Sequence, residues 1–213
     1  MSDSESDYQS LRRISAVVGA NFDHIQAAGG NSSIKLKDKM LIKASGKMMA
    51  KALTEDIFVE VPLSELIAAF DAPKVYSTKN FVNEIGLRPS IETLVHAVLP
   101  WKFVLHTHSL HTNRYLCIRE GKALLTSILN DLSWVWIKYR KPGIDLAIEL
   151  KRNHRNSQII LLENHGLLLC GNSAVEIENL LKVVTQRLHF EKPASLSKDT
   201  RSISLPFLFI TAS

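Results

Sequence analysis

The chain has 213 residues, 46% of them hydrophobic, enough to bury one sizeable core and short for two. Its 26 basic and 21 acidic side chains give a net charge of +5, but they are spread along the chain, so the excess favours solubility or attraction to small anions over a nucleic-acid partner. With no apolar stretch of membrane-spanning length and no signal-peptide pattern in the acidic first residues, a cytoplasmic protein without a membrane partner is expected.

Residues 1–9 are polar and are expected to form a disordered tail ahead of a single domain over 10–213. Leu11, Ile14, Val17 and Val18 recur at helical spacing, which predicts an amphipathic helix from Tyr8 to about Ala20. Gly29-Gly30-Asn31-Ser32-Ser33 breaks that pattern and reads as a loop. Its glycines allow close backbone approach, and Asn31 and Ser32 supply side-chain donors for an anion; an ordinary loop is the plainer alternative. Residues 33–37 and 40–43 alternate as the arms of a β-hairpin, which delivers a second small polar turn, Ala44-Ser45-Gly46. A short strand over 57–61 and a helix over about 63–70 follow, and residues 71–87 show no regular pattern.

In Arg88-Pro89-Ser90-Ile91-Glu92, the proline and serine form a helix start signal, with Ser90 as the expected N-cap and Glu92 in the first turn, where the helix dipole favours a carboxylate. Glu92 and His96 share a helix face, so a simple surface pair is the alternative to a functional role. Val104, His106 and His108 alternate along an apolar run, and a period of two puts both imidazoles on one face of a strand. Residues 112–118 read as a helix and 124–139 as strands and turns, with Trp134 and Trp136 alternating. A helix over about 144–151 precedes a strand over 157–162, the tight turn Asn164-His165-Gly166 and a return strand over 167–170. Ser173 and Glu176 open a last helix in capping-box spacing. The apolar residues 205–210 are expected to dock on this subunit or a neighbour. Cys117 and Cys170 both lie in apolar segments without metal-type spacing, and buried free thiols are expected. Two co-facial histidines plus a histidine on a glycine turn and a carboxylate make a first shell suited to a divalent ion, zinc being the usual occupant.

The order of these motifs resembles the class II aldolase/adducin family. The likeness runs through Gly30-Asn31-Ser32, Lys43-Ala44-Ser45-Gly46, Pro89-Ser90-Ile91-Glu92, His106-Thr107-His108-Ser109 and Asn164-His165-Gly166, and covers roughly residues 10–190. It implies an α/β fold, a three-layer α/β/α sandwich with a central, mostly antiparallel sheet, assembled as a homotetramer with sites between subunits. By the same resemblance His106, His108 and His165 are metal ligands for Zn2+ or another divalent ion, and Glu92 is a ligand or the acid/base. Gly30, Asn31, Ser32, Ser45, Gly46 and Ser90 fall where members bind a phosphorylated sugar. The implied activity is that of an aldolase-type lyase making or breaking a C–C bond in a phosphorylated ketose through an enediolate. Epimerase, dehydratase and decarboxylase reactions share that chemistry, and adducin-like members are binding proteins without catalysis. Two positions depart from the pattern: Ile91 stands where fuculose-phosphate aldolases carry a second serine, and His111 stands where a small or tyrosine-like residue is usual.

Overall fold

The computed structural model describes residues 3–71 and 76–190. In chain order its elements are α1 (Asp3–Gly19), β1 (Asn31–Leu36), β2 (Lys39–Lys43), β3 (Phe58–Pro62), α2 (Leu63–Ala68), α3 (Thr93–Val98), β4 (Phe103–Thr107), α4 (Leu110–Leu116), α5 (Gly121–Ile128), β5 (Trp134–Ile137), α6 (Ile144–Asn153), β6 (Ile159–Leu162), β7 (Gly166–Gly171) and α7 (Ala174–Phe190). The strands form one sheet in the order β3-β2-β1-β4-β7-β6-β5. All described neighbours pair antiparallel except β5 and β6, whose parallel pairing is what the intervening α6 crossover permits.

Alternation along each strand sorts side chains into two cores. Ile34, Phe103, Leu105, Leu161, Leu167 and Leu169 pack against Leu11 and Ile14 of α1, Leu116 of α4, Leu125 of α5 and Val184 of α7. Met40, Ile42, Val59, Val104, Ile160 and Leu168 pack on the opposite face against Leu66 of α2, Leu94 of α3 and Leu146 of α6. The result is the three-layer α/β/α architecture expected from the motifs. Its sheet is closed on both faces, which is why β6 and β7 are apolar at every position. Among the described residues no helix is long and apolar enough to cross a membrane.

Several local expectations are corrected. Residues 3–9, expected to be disordered, belong to α1, where Gln9 donates to Glu5 at 2.8 Å and Lys102 pairs with Asp7. Carboxylates in the first turns suit the helix dipole, and the Lys102 contact comes from a residue remote in sequence. Residues 121–128 form α5, with Leu125 buried; a Cβ on Gly121 would lie 1.7 Å from the Tyr115 carbonyl, so only glycine lets α5 start against α4. Cys170 is buried as expected, but Cys117, at the C-terminal end of α4, is exposed. Half of the capping box of α7 forms: Ser173 Oγ accepts from the Glu176 amide, while the Glu176 carboxylate reaches past Ser173 and accepts from the Asn172 amide at 2.7 Å. The apolar stretch 205–210 lies outside the described residues.

Candidate active site

Four side chains from three parts of the chain converge beside the sheet. His106 occupies β4 and is fully buried, His108 follows one residue past the strand, and His165 sits in the turn between β6 and β7. Asn164 takes a positive φ of 52°, which an Asn tolerates better than most residues, and this tight reversal turns His165 back toward β4. The three rings offer ligand nitrogens that all lie within 4.8 Å of one another, the one such group of three among the described residues. His106 Nε2 and His108 Nε2 are 3.0 Å apart. Glu92, at the start of α3 and 5% exposed, reaches both remaining sides: its Oε2 lies 3.5 Å from His106 Nε2 and its Oε1 3.3 Å from His165 Nε2.

The donor set suits a divalent ion. Leu167 O can only accept, so His106 Nδ1, 3.2 Å away, carries the ring proton and donates it. The Nε2 lone pair is thereby left facing the cluster. A tetrahedral zinc holds ring nitrogens about 3.3 Å apart, between the 3.0 Å pair and the widest spacing of the cluster. Burial, and then the neighbouring His165 and His108, hold His106 protonation well below its ordinary range. Burial and His165 likewise lower that of His108, with Glu92 opposing. Neutral imidazoles are the form that binds metal. Gly166 is part of the cradle: a Cβ there would meet Thr107 O at 2.5 Å, His106 Cε1 at 2.8 Å and His108 Cδ2 at 3.2 Å.

Beside the cluster lie the small polar residues. Asn31 is the first residue of β1 rather than part of a loop, and its register partner across the sheet is His106. Its Nδ2 donates to Glu92 Oε2 at 2.8 Å and to Ser90 Oγ at 3.2 Å. Ser90 does not cap α3. The N-cap position is Glu92, and Ser90 Oγ accepts from the Glu92 amide at 3.2 Å, fixing the turn ahead of the helix. The Ser45–Gly46 turn is stitched next to Ser90 by the bonds Ser45 N to Arg88 O and Ser90 N to Lys43 O. Both turn residues are exposed, and Gly46 takes a φ of +76°. Gly30 serves packing, since a Cβ there would strike Ile25 and the His106 carbonyl.

Ser32 departs from the expected set. Strand alternation sends it to the α1 face, where its Oγ lies 2.6 Å from Ser15 Oγ, away from the histidines. His96 is no surface partner of Glu92; it is fully buried, with Nδ1 2.7 Å from Ser33 Oγ. His111 does not join the cluster either, its Nε2 lying 3.6 Å from Asp23 Oδ2. Sequence reasoning missed Lys43, which is 2% exposed and donates to Ala28 O at 3.0 Å and Lys47 O at 2.5 Å. It thereby ties the glycine turn to the Ser45–Gly46 turn, and burial lowers its pKa to about 8. Its signal was a lysine at the end of an otherwise well-buried strand.

The family model of the class II aldolase and adducin N-terminal domain matches residues 12–189, most of the chain. The chain belongs to this family. The family's enzymes are metal-dependent lyases. Among curated relatives it is 29% identical to methylthioribulose-1-phosphate dehydratase of Geobacillus kaustophilus, over 82% of this chain and 86% of that one. It is 24% identical to L-fuculose phosphate aldolase of Methanocaldococcus jannaschii, over 77% and 84%. It also matches an uncharacterized oxidoreductase, YuxG, of Bacillus subtilis, at 28% identity over 75% of this chain, spanning only 26% of YuxG. Among solved structures, the N-terminal class II aldolase domain of a Thermoplasma acidophilum protein superposes with a TM-score of 0.72 at 26% identity, covering 87% of this chain and 93% of that one. The Thermotoga maritima sugar-phosphate aldolase gives 0.66 at 15% identity, over 89% and 98%, a likeness of fold.

Proposed function

We propose that this class II aldolase-type domain is a divalent-metal lyase for a phosphorylated ketose, with His106, His108 and His165 as metal ligands and Glu92 as a ligand and proton carrier. The observation that carries the reading is the convergence of three imidazoles, that of His106 fully buried and those of His108 and His165 partly buried, with one buried carboxylate. Zinc, or another divalent ion in this set, supplies Lewis acidity toward adjacent carbonyl and hydroxyl oxygens. The chain's own work is positioning and proton transfer. Ser45 Oγ, the Gly46 amide and Ser90 Oγ form the phosphate site, in the field of the buried Lys43 cation. Ser90 Oγ accepts from two N–H groups, which leaves its own hydrogen to donate to a phosphate oxygen. With phosphate held there, the ketose carbonyl lies toward the histidines, and Glu92 takes or returns a proton at the carbon beside it. That step serves aldol cleavage and dehydration alike.

The extended likeness to methylthioribulose-1-phosphate dehydratase makes dehydration of such a sugar the second reading beside aldol cleavage. A homotetramer in the cytoplasm completes the proposal, supported by the family resemblance. Elemental analysis of the purified chain tests the site: about one metal per chain is expected, lost in His108→Ala. Ketose 1-phosphates are then screened for release of dihydroxyacetone phosphate and, separately, for loss of water. A wild-type chain that takes up no metal when zinc is supplied overturns the reading.

A further inference from the structure

Asn31 is buried, with 4% of its surface exposed, and both hydrogens of its Nδ2 are committed: one to Glu92 Oε2 at 2.8 Å and one to Ser90 Oγ at 3.2 Å. Its Oδ1 is buried with no hydrogen-bond partner. Since Asn31 pairs with His106 across the β1–β4 ladder, the amide lies beside the imidazole on the site face of the sheet. Such an arrangement is costly unless something is gained, because a buried amide oxygen without a partner loses its hydration.

The Glu92 chain explains the gain. A glutamate has three rotatable side-chain bonds, and nothing in its position at the start of α3 fixes where the carboxylate points. Asn31 holds Oε2, and the other oxygen is thereby presented to His165 Nε2 at 3.3 Å. The same amide group is shared with Ser90, which borders the Ser45–Gly46 turn. We infer that Asn31 is the positioning residue of Glu92, and that by dividing its amide between Glu92 and Ser90 it couples the carboxylate's orientation to anion occupancy at Ser90. This inference rests on the metal and phosphate sites proposed above.

The test is a double-mutant cycle on the full chain loaded with Co2+, whose visible absorption reports the ligand field. The variants are Asn31→Ala, Asn31→Ser, Glu92→Ala and the Asn31→Ala/Glu92→Ala double variant, read by the Co2+ spectrum and dissociation constant, each with and without inorganic phosphate. Expected for Asn31→Ala is an altered spectrum and about 10-fold weaker Co2+ binding, the range for outer-shell partners of metal ligands. No further change is expected when Glu92 is already alanine. Phosphate is expected to change the wild-type spectrum and to leave that of Asn31→Ala unchanged. Asn31→Ser, which keeps a small polar side chain on the strand, carries the test if the alanine variant does not fold. Equal effects of Asn31→Ala in the presence and absence of Glu92 overturn the positioning role, and a phosphate response that survives in Asn31→Ala overturns the coupling, while both leave the metal reading intact. A wild-type chain that binds no Co2+ overturns the metal reading and this inference together.

Discussion

Two regions of this protein bring histidine rings to the same centroid spacing of 4.8 Å: one pairs His106 with His165, and equally with His108, and the other pairs His111 with His189. Among the described residues, only the first belongs to a group of ligand atoms able to hold an ion. In that group the rings come from a strand end and a tight turn, their nitrogens face inward, and the Glu92 side chain that joins them is 7% exposed. The second pair brings together two helices, α4 and α7, and the Asp23 carboxylate that reaches His111 Nε2, at 3.6 Å, belongs to a side chain 55% exposed. Ring proximity is thus an ordinary product of packing. A ligand site needs in addition that lone pairs converge, that burial disfavours the charged imidazolium as it does at His106 and His108, and that a carboxylate balances the charge of the ion.

The largest effect that sharpens this contrast is expected from His165→Ala, which removes a lone pair from the cluster. Metal content by elemental analysis is expected to fall from about one ion per chain to near zero, with the far-ultraviolet circular dichroism of the fold retained. Retention of full metal would break the distinction between the two pairs. Next comes Gly166→Ala, where the added Cβ presses on His106 and His108 from behind. It is expected to cost about 1–3 kcal/mol in denaturant unfolding and about 10-fold or more in metal affinity.

Burial without convergence is isolated by His96. Burial lowers its pKa to about 3, against about 6.5 in the unfolded chain. As pH falls through 6.5 the unfolded chain takes up this proton first, so stability present above 6.5 is lost progressively down toward pH 3. His96→Asn is expected to show about 2 kcal/mol less loss between pH 7 and pH 5 than wild type, measured by urea unfolding. An identical slope would show that His96 does not titrate with unfolding. The smallest effect is expected for His111→Ala, whose metal content should equal that of wild type; a loss there would join the two histidine pairs into one functional unit.

Much of the site was legible because its signals are local. The alternation of Val104, His106 and His108, the glycine turn at His165 and the proline-serine start before Glu92 each fix a side chain through short-range geometry. What was not legible depends on distant partners. The start of α1 at Asp3 involves Lys102, and Lys43 is placed by carbonyls of two different turns. The helix at 121–128 requires a glycine packed on Tyr115, a contact that periodicity does not encode. Ser32 was misassigned for a simpler reason: within Gly30-Asn31-Ser32, everything turns on which residue begins the strand.

That starting point has a consequence for how this chain can change in length. β1 is paired on both sides, with β2 through Ser33 to Leu36 and with β4 through Asn31 to Ile34. Adding or deleting one residue between Gly30 and Ile34 would rotate Asn31 toward α1 and bring Ser32 to the imidazoles, exchanging an amide for a hydroxyl at the centre of the site. The turn at Lys37 and Asp38 lies beyond both ladders and can absorb insertions without that exchange. Variation in length is therefore confined to the far end of the hairpin, while the near end is held at a fixed count from the histidines.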